Sequence, residues 1–95
     1  MQMRKCVKIR VIGKVQDESY KTFIQKTAQD LSIEGILQNI ETTGIMIHAC
    51  GPSIVLEKFI DALYQGSEKN GIKELNTEPL ANDRNFRGVF RIIGD

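Results

Sequence analysis

Val7, Ile9 and Val11 alternate with Lys8 and Arg10, the two-residue period of a strand with one buried face. Further along the period lengthens. Phe23, Ile24, Thr27, Ala28 and Leu31 fall on one helical stripe, with Gln25, Lys26, Gln29 and Asp30 opposite, and Ser32 to Gly35 ends the helix. Gly35 to Glu41 reads as a second strand. Thr42-Thr43-Gly44 reads as a tight turn in which glycine supplies positive φ. Ile45, Ile47 and Ala49 alternate with Met46, His48 and Cys50 in a third strand. Gly51-Pro52-Ser53 breaks that strand and opens a second helix, whose apolar face is Val55, Leu56, Phe59, Ile60 and Leu63 and whose predicted stop is Gly66. A fourth strand is expected over Gly71 to Pro79, a loop from Leu80 to Arg87, and a short last strand over Gly88 to Ile93.

The order β-α-β-β-α-β, with one more short strand, is an α+β plan: a ferredoxin-like split βαβ sandwich. It predicts an antiparallel sheet of four to five strands with two helices on one face and the other face partly open. The 95 residues form a single domain, 1–95, long enough for one core, and they show no repeat, linker or low-complexity segment.

Candidate chemistry concentrates between the first strand and the first helix. A strand that ends in Gly13 and a helix that starts a few residues later leave backbone N–H groups free at the positive end of the helix dipole, a natural anion site. Lys14 and Lys21 flank that loop, and Asp17 and Glu18 lie within it. Composition is that of an ordinary globular chain, 41% hydrophobic and 26% charged. The net charge of +1 draws no polyanion, and no basic patch with interleaved aromatics is present, so a ferredoxin-like nucleic-acid binder ranks last. The apolar runs are too short to span a bilayer and no signal-peptide core is visible, so a cytoplasmic protein is expected. No metal-ligand spacing and no nucleophile with an adjacent histidine stands out.

Gly13-Lys14-Val15-Gln16, followed by Tyr20-Lys21 and Phe23, resembles the acylphosphatase signature, a loop that typically reads Gly-Arg-Val-Gln-Gly-Val-x-Phe-Arg. Gly35-Ile36-Leu37-Gln38-Asn39 resembles that family's second motif, Gly-Trp-Val-x-Asn, and the likeness extends over nearly the whole chain through Gly44, Gly51, Phe59-Ile60, Gly66 and Phe90-Arg91-Ile92. The resemblance implies hydrolysis of small acyl phosphates to carboxylate and phosphate, without cofactor or metal. It implies that loop residues Val15, Gln16, Asp17, Glu18, Ser19 and Tyr20 bind phosphate, that Lys21 stands at the catalytic arginine, and that Asn39 matches the asparagine that orients the attacking water. A carboxylate leaving group needs little acid help, so positioning and charge stabilisation can supply most of the catalysis.

Three positions depart from the signature. Lys21 replaces a guanidinium fork with a point charge on a flexible stem. Asp17 stands at a glycine and Glu18 at an apolar position, and each carboxylate repels a phosphate by about 1 kcal/mol near 4 Å in bulk water. Asp17 could also occupy the amides meant for substrate. These departures predict weakened hydrolysis, and the alternative is a catalytically degenerate scaffold that binds anions or another protein. Plainer roles fit the same residues: Asp17, Glu18 and Ser19 suit N-capping, Lys21 suits a solvated helix face, and Asn39 suits a hydrogen bond at a strand end. The expected partner is a small acyl phosphate, or inorganic phosphate or sulfate, with no nucleic acid and no membrane; oligomeric state is left open.

Cys6 and Cys50 fall near the start of one strand and the end of its antiparallel neighbour, both on the face away from the helices. A disulfide between them is sterically feasible, while a reducing cytosol favours free thiols. His48 shares that face, but Cys6, His48 and Cys50 lack the usual spacing of a metal site.

Overall fold

The computed structural model describes residues 4–13, 18–40, 44–67, 72–80 and 86–93. The elements are β1 (Arg4–Gly13), α1 (Glu18–Asp30), β2 (Glu34–Ile40), β3 (Gly44–Pro52), α2 (Ser53–Ser67), β4 (Ile72–Leu80) and β5 (Phe90–Ile93). The predicted turn at Thr42-Thr43 lies outside the described residues. The strands form one sheet in the order β4-β1-β3-β2-β5. This is the ferredoxin-like α+β plan with a fifth strand added at one edge.

The sheet is mixed, which corrects the antiparallel expectation at one edge. β1 pairs antiparallel with β3 and β4, and β2 antiparallel with β3, but β5 runs parallel to β2. The chain leaves β4 at Leu80, two strands from Cys50, and enters β5 at Phe90 beside Gly35, which pairs with Ala49. Both points lie at the same end of the sheet, so β5 starts level with the start of β2 and runs in the same direction.

Period-two burial on the strands meets period-3.6 burial on the helices. Ile9 and Val11 of β1, Leu37 of β2, Ile45, Ile47 and Ala49 of β3 and Phe90 of β5 are buried against Tyr20, Ile24 and Ala28 of α1 and Leu56, Phe59 and Leu63 of α2. Phe59 and Phe90 meet edge to face, with centroids 6.1 Å apart. Phe23, expected on the core stripe, is instead 40% exposed, because Tyr20 one turn earlier fills the inward position. α2 also runs past its expected stop: Gly66 lies inside the helix, where a Cβ would come within 3.0 Å of the Phe23 ring. Glycine there gives the ring room to lie across the helix.

α1 ends in a Schellman motif. The Ile33 N–H donates to the Ala28 carbonyl at 2.8 Å and the Ser32 N–H to the Gln29 carbonyl at 3.1 Å, with Ser32 in the left-handed region at φ 57. β2 then starts against β3 so closely that a Cβ on Gly35 would overlap the His48 carbonyl oxygen. Only glycine allows that strand pair its spacing.

Cys6 and Cys50 are paired directly across β1 and β3 and joined by a disulfide, with Cα atoms 4.1 Å apart. Both are buried although they face away from the helices. Glu34, in the same cross-strand row as Cys50, forms an ion pair with Arg4 that reaches across β3.

Candidate active site

β1 delivers the chain to Gly13, and α1 begins at Glu18. Lys14, Val15, Gln16 and Asp17, the first part of the predicted loop, lie outside the described residues. Glu18, Ser19 and Tyr20 belong to the first turn of α1, where backbone N–H groups have no partner within the helix and point along its positive end. Ser19 is exposed. The Tyr20 ring is 1% exposed and belongs to the core, so any part it takes in anion binding falls to its backbone N–H. Its hydroxyl is buried with no hydrogen-bond partner among the described residues, and burial pushes the phenol up to about 12.

Lys21 follows, 7% exposed. This differs from the solvated helix face that suits most lysines. The helical period puts Lys21 on the side of α1 that also carries Gln25, whose Nε2 donates to the Phe90 carbonyl at 3.3 Å. That flank therefore faces the β2–β5 edge.

Asn39 lies on β2, two residues beyond the fully buried Leu37 and thus on the helix side of the sheet. It is paired with Ile45, which is paired in turn with Val11 of β1. Val11 is two residues from Gly13, so Asn39 sits at the end of the sheet from which the chain passes to α1. The Asn39 Oδ1 is buried with no hydrogen-bond partner among the described residues. The fold thus brings toward one corner the first turn of α1, the buried Lys21 within it, and, on β2, a carboxamide whose Oδ1 has no partner among the described residues. Such a corner can hold a small anion at the helix terminus with a polar group to one side.

Cys6 and Cys50 lie at the opposite end of the sheet, with Cys6 paired to Leu80 and Cys50 to Glu34. Their disulfide leaves neither as a thiolate ligand, and among the described residues no three His, Cys, Asp or Glu side chains converge as a metal site. No helix among the described residues is long and apolar enough to cross a membrane. Sequence reasoning missed Glu34, whose Oε2 accepts hydrogen bonds from the N–H groups of Phe86 and Gly88. Its partners lie over 50 positions away, beyond the reach of any local pattern. The burial of Tyr20 did carry a signal, the four-residue spacing of Tyr20, Ile24 and Ala28.

A family model described as acylphosphatase matches residues 7–92. An acylphosphatase of Archaeoglobus fulgidus is 32% identical over 86 residues, covering 88% of this chain and 97% of the relative. One from Latilactobacillus sakei is 27% identical over 92 residues, covering 97% and 100%. Among solved structures, an acylphosphatase from Bacillus subtilis superposes with a TM-score of 0.85 at 24% identity, covering 97% of this chain and all of that one, a likeness of fold.

Proposed function

The chain belongs to the acylphosphatase family, and from that premise we propose that it hydrolyses small acyl phosphates at the corner formed by α1 and β2. The observation that carries the reading is Lys21. It is 7% exposed in the first turn of α1, and lysines that are nearly buried are kept where a counter-charge meets the ammonium, which a bound phosphoryl group would supply. The amides of the first turn and the ammonium of Lys21 would grip the phosphoryl group, and the Asn39 carboxamide would hold a water on its β2 side.

The water oxygen then forms a bond to phosphorus as the bond from phosphorus to the acyl oxygen breaks. The electron pair leaves with the carboxylate, and the water proton passes to phosphate. Because the carboxylate is a good leaving group, no general acid is required, and the residues act by placement and charge. Lysine in place of arginine loses bidentate contact with the phosphoryl oxygens, and Asp17 and Glu18 add negative charge to the loop, so turnover is reduced below what the scaffold can support.

The test is hydrolysis of benzoyl phosphate by the wild type, by Lys21→Ala, and by Lys21→Arg combined with Asp17→Gly and Glu18→Val. Wild-type turnover above background that Lys21→Ala abolishes and the triple variant raises supports the reading. No wild-type turnover, with activity appearing in the triple variant, supports the alternative of a degenerate anion-binding scaffold. No turnover in either, with no binding of inorganic phosphate, ends it.

A further inference from the structure

The hydrolase reading uses one flank of α1 and leaves the other unassigned. On that other flank, between α1 and α2, lies a cleft of about 540 Å³, within the usual span of small-molecule pockets, roughly 300–1,000 Å³. Phe23 of α1 forms one wall, backed by the buried Tyr20 ring with centroids 6.2 Å apart, and Ala62 and Gly66 of α2 form the other. Ser19, Thr27 and Gln65 complete the described lining. The described lining carries no charge. Gly66 lets the Phe23 ring, 40% exposed, lie close against α2 at one end of the cleft, where a Cβ would meet it.

The position of this cleft relative to Lys21 and Asn39 gives it a role. In phosphoryl transfer the attacking and leaving oxygens lie roughly in line through phosphorus. Lys21 and Gln25 turn toward the β2–β5 edge that carries Asn39, whereas Ser19, Tyr20, Phe23 and Thr27 turn toward α2. A water held at Asn39 therefore sends the leaving carboxylate away from β2, toward the side of the first turn on which the cleft opens.

We infer that the cleft receives the apolar part of the acyl group and selects aromatic or branched acyl phosphates over acetyl phosphate. The inference rests on the acyl-phosphate reading and adds the substrate class. An acetyl methyl is too short to engage the walls, while a ring carried on the acyl carbon can lie against Phe23 and Ala62. The described lining also offers the departing carboxylate no cation to hold it.

The test compares kcat/KM on benzoyl and acetyl phosphate for the wild type, Ala62→Leu and Gln65→Trp. Gln65 is an exposed lining residue, so its variant folds even if the partly buried Ala62 tolerates leucine poorly. The inference expects the benzoyl-to-acetyl ratio to fall at least fivefold in each folded variant, through KM for the benzoyl substrate. A ratio that stays within twofold of the wild type in the folded variants overturns the cleft assignment and leaves the hydrolase reading standing. A wild type that hydrolyses neither substrate overturns the hydrolase reading and the cleft assignment with it.

Discussion

The Glu34 carboxylate accepts a hydrogen bond from the Gly88 N–H at 2.9 Å, tying the start of β2 to the turn before β5. The same Oε2 accepts from the Phe86 N–H at 2.8 Å, and Oε1 pairs with Arg4. Burial works against the charged form, but the hydrogen bonds from Gly88, Arg4 and Phe86 and the Arg4 charge outweigh it and hold the carboxyl below the usual range. A carboxyl depressed on folding stabilises above its unfolded value, near pH 4.3, and that stabilisation is lost as pH falls through the lower folded value. Glu34→Gln should therefore lower stability by about 1–3 kcal/mol at neutral pH. In urea melts across pH, the gap between wild type and variant should close below about pH 4.

That tie also shows what could be read in the chain and what could not. The alternation of Val7, Ile9 and Val11 and the spacing of Leu56, Phe59 and Leu63 report burial directly, so two helices on one face of a sheet were legible. The direction of β5 was not, because it depends on the end of the sheet at which β5 begins, and apolar period is blind to that. At the site, Lys21 stood out as a cation beside the loop, whereas Asn39 could be picked out only by its likeness to a family motif. The burial of Lys21 was hidden because a lysine at a helical position reads as solvent-facing. Phe23 misled for a related reason: an aromatic beside Ile24 looks like core until Tyr20 is seen to take the inward place.

Ser32 occupies the C′ position of the Schellman motif at φ 57, where a Cβ crowds the backbone. Ser32→Gly should raise stability by about 1 kcal/mol and leave the Ile33 to Ala28 hydrogen bond in place. Thermal melts would show it, and a lowered midpoint would mean that the serine side chain has a compensating contact.

Tyr20 carries a hydroxyl that is buried with no partner among the described residues, and burial raises its phenol to about 12. Between an unfolded value near 10 and that figure, the unfolded chain releases a proton that the folded chain keeps, so wild-type stability falls as pH rises through this window. Tyr20→Phe removes the unsatisfied group and should stabilise by about 1 kcal/mol at neutral pH. The variant should also lose much of the decline above about pH 10, which paired denaturation curves at pH 8 and 11 would resolve.

The disulfide closes a loop with a sequence separation of 44 between directly opposed residues. On the chain-entropy account such a link stabilises by about 4 kcal/mol, with typical measured values of about 2–4. Cys6→Ser with Cys50→Ser should lower the urea midpoint accordingly. Hydrolysis should survive wherever the variant is folded, since the bridge and Asn39 lie at opposite ends of the sheet. A loss of turnover in fully folded variant would show that the two ends are coupled.

Asn39 separates stability from activity most sharply. A buried Oδ1 without a partner among the described residues carries a desolvation penalty of about 1–3 kcal/mol. Buried polar groups are nearly always satisfied, so an exception next to an anion corner points to an atom that meets its partner only in the working complex. Replacing Asn39 by alanine removes the penalty together with the carboxamide. Stability should hold or rise by about 1 kcal/mol, while benzoyl phosphate turnover should drop by about 100-fold or more, the usual effect of losing a positioning dipole. A strictly structural asparagine would do the reverse, with Tm falling and turnover per folded molecule unchanged. Measuring both on the same preparation decides whether this atom is a strand-end contact or the seat of the attacking water.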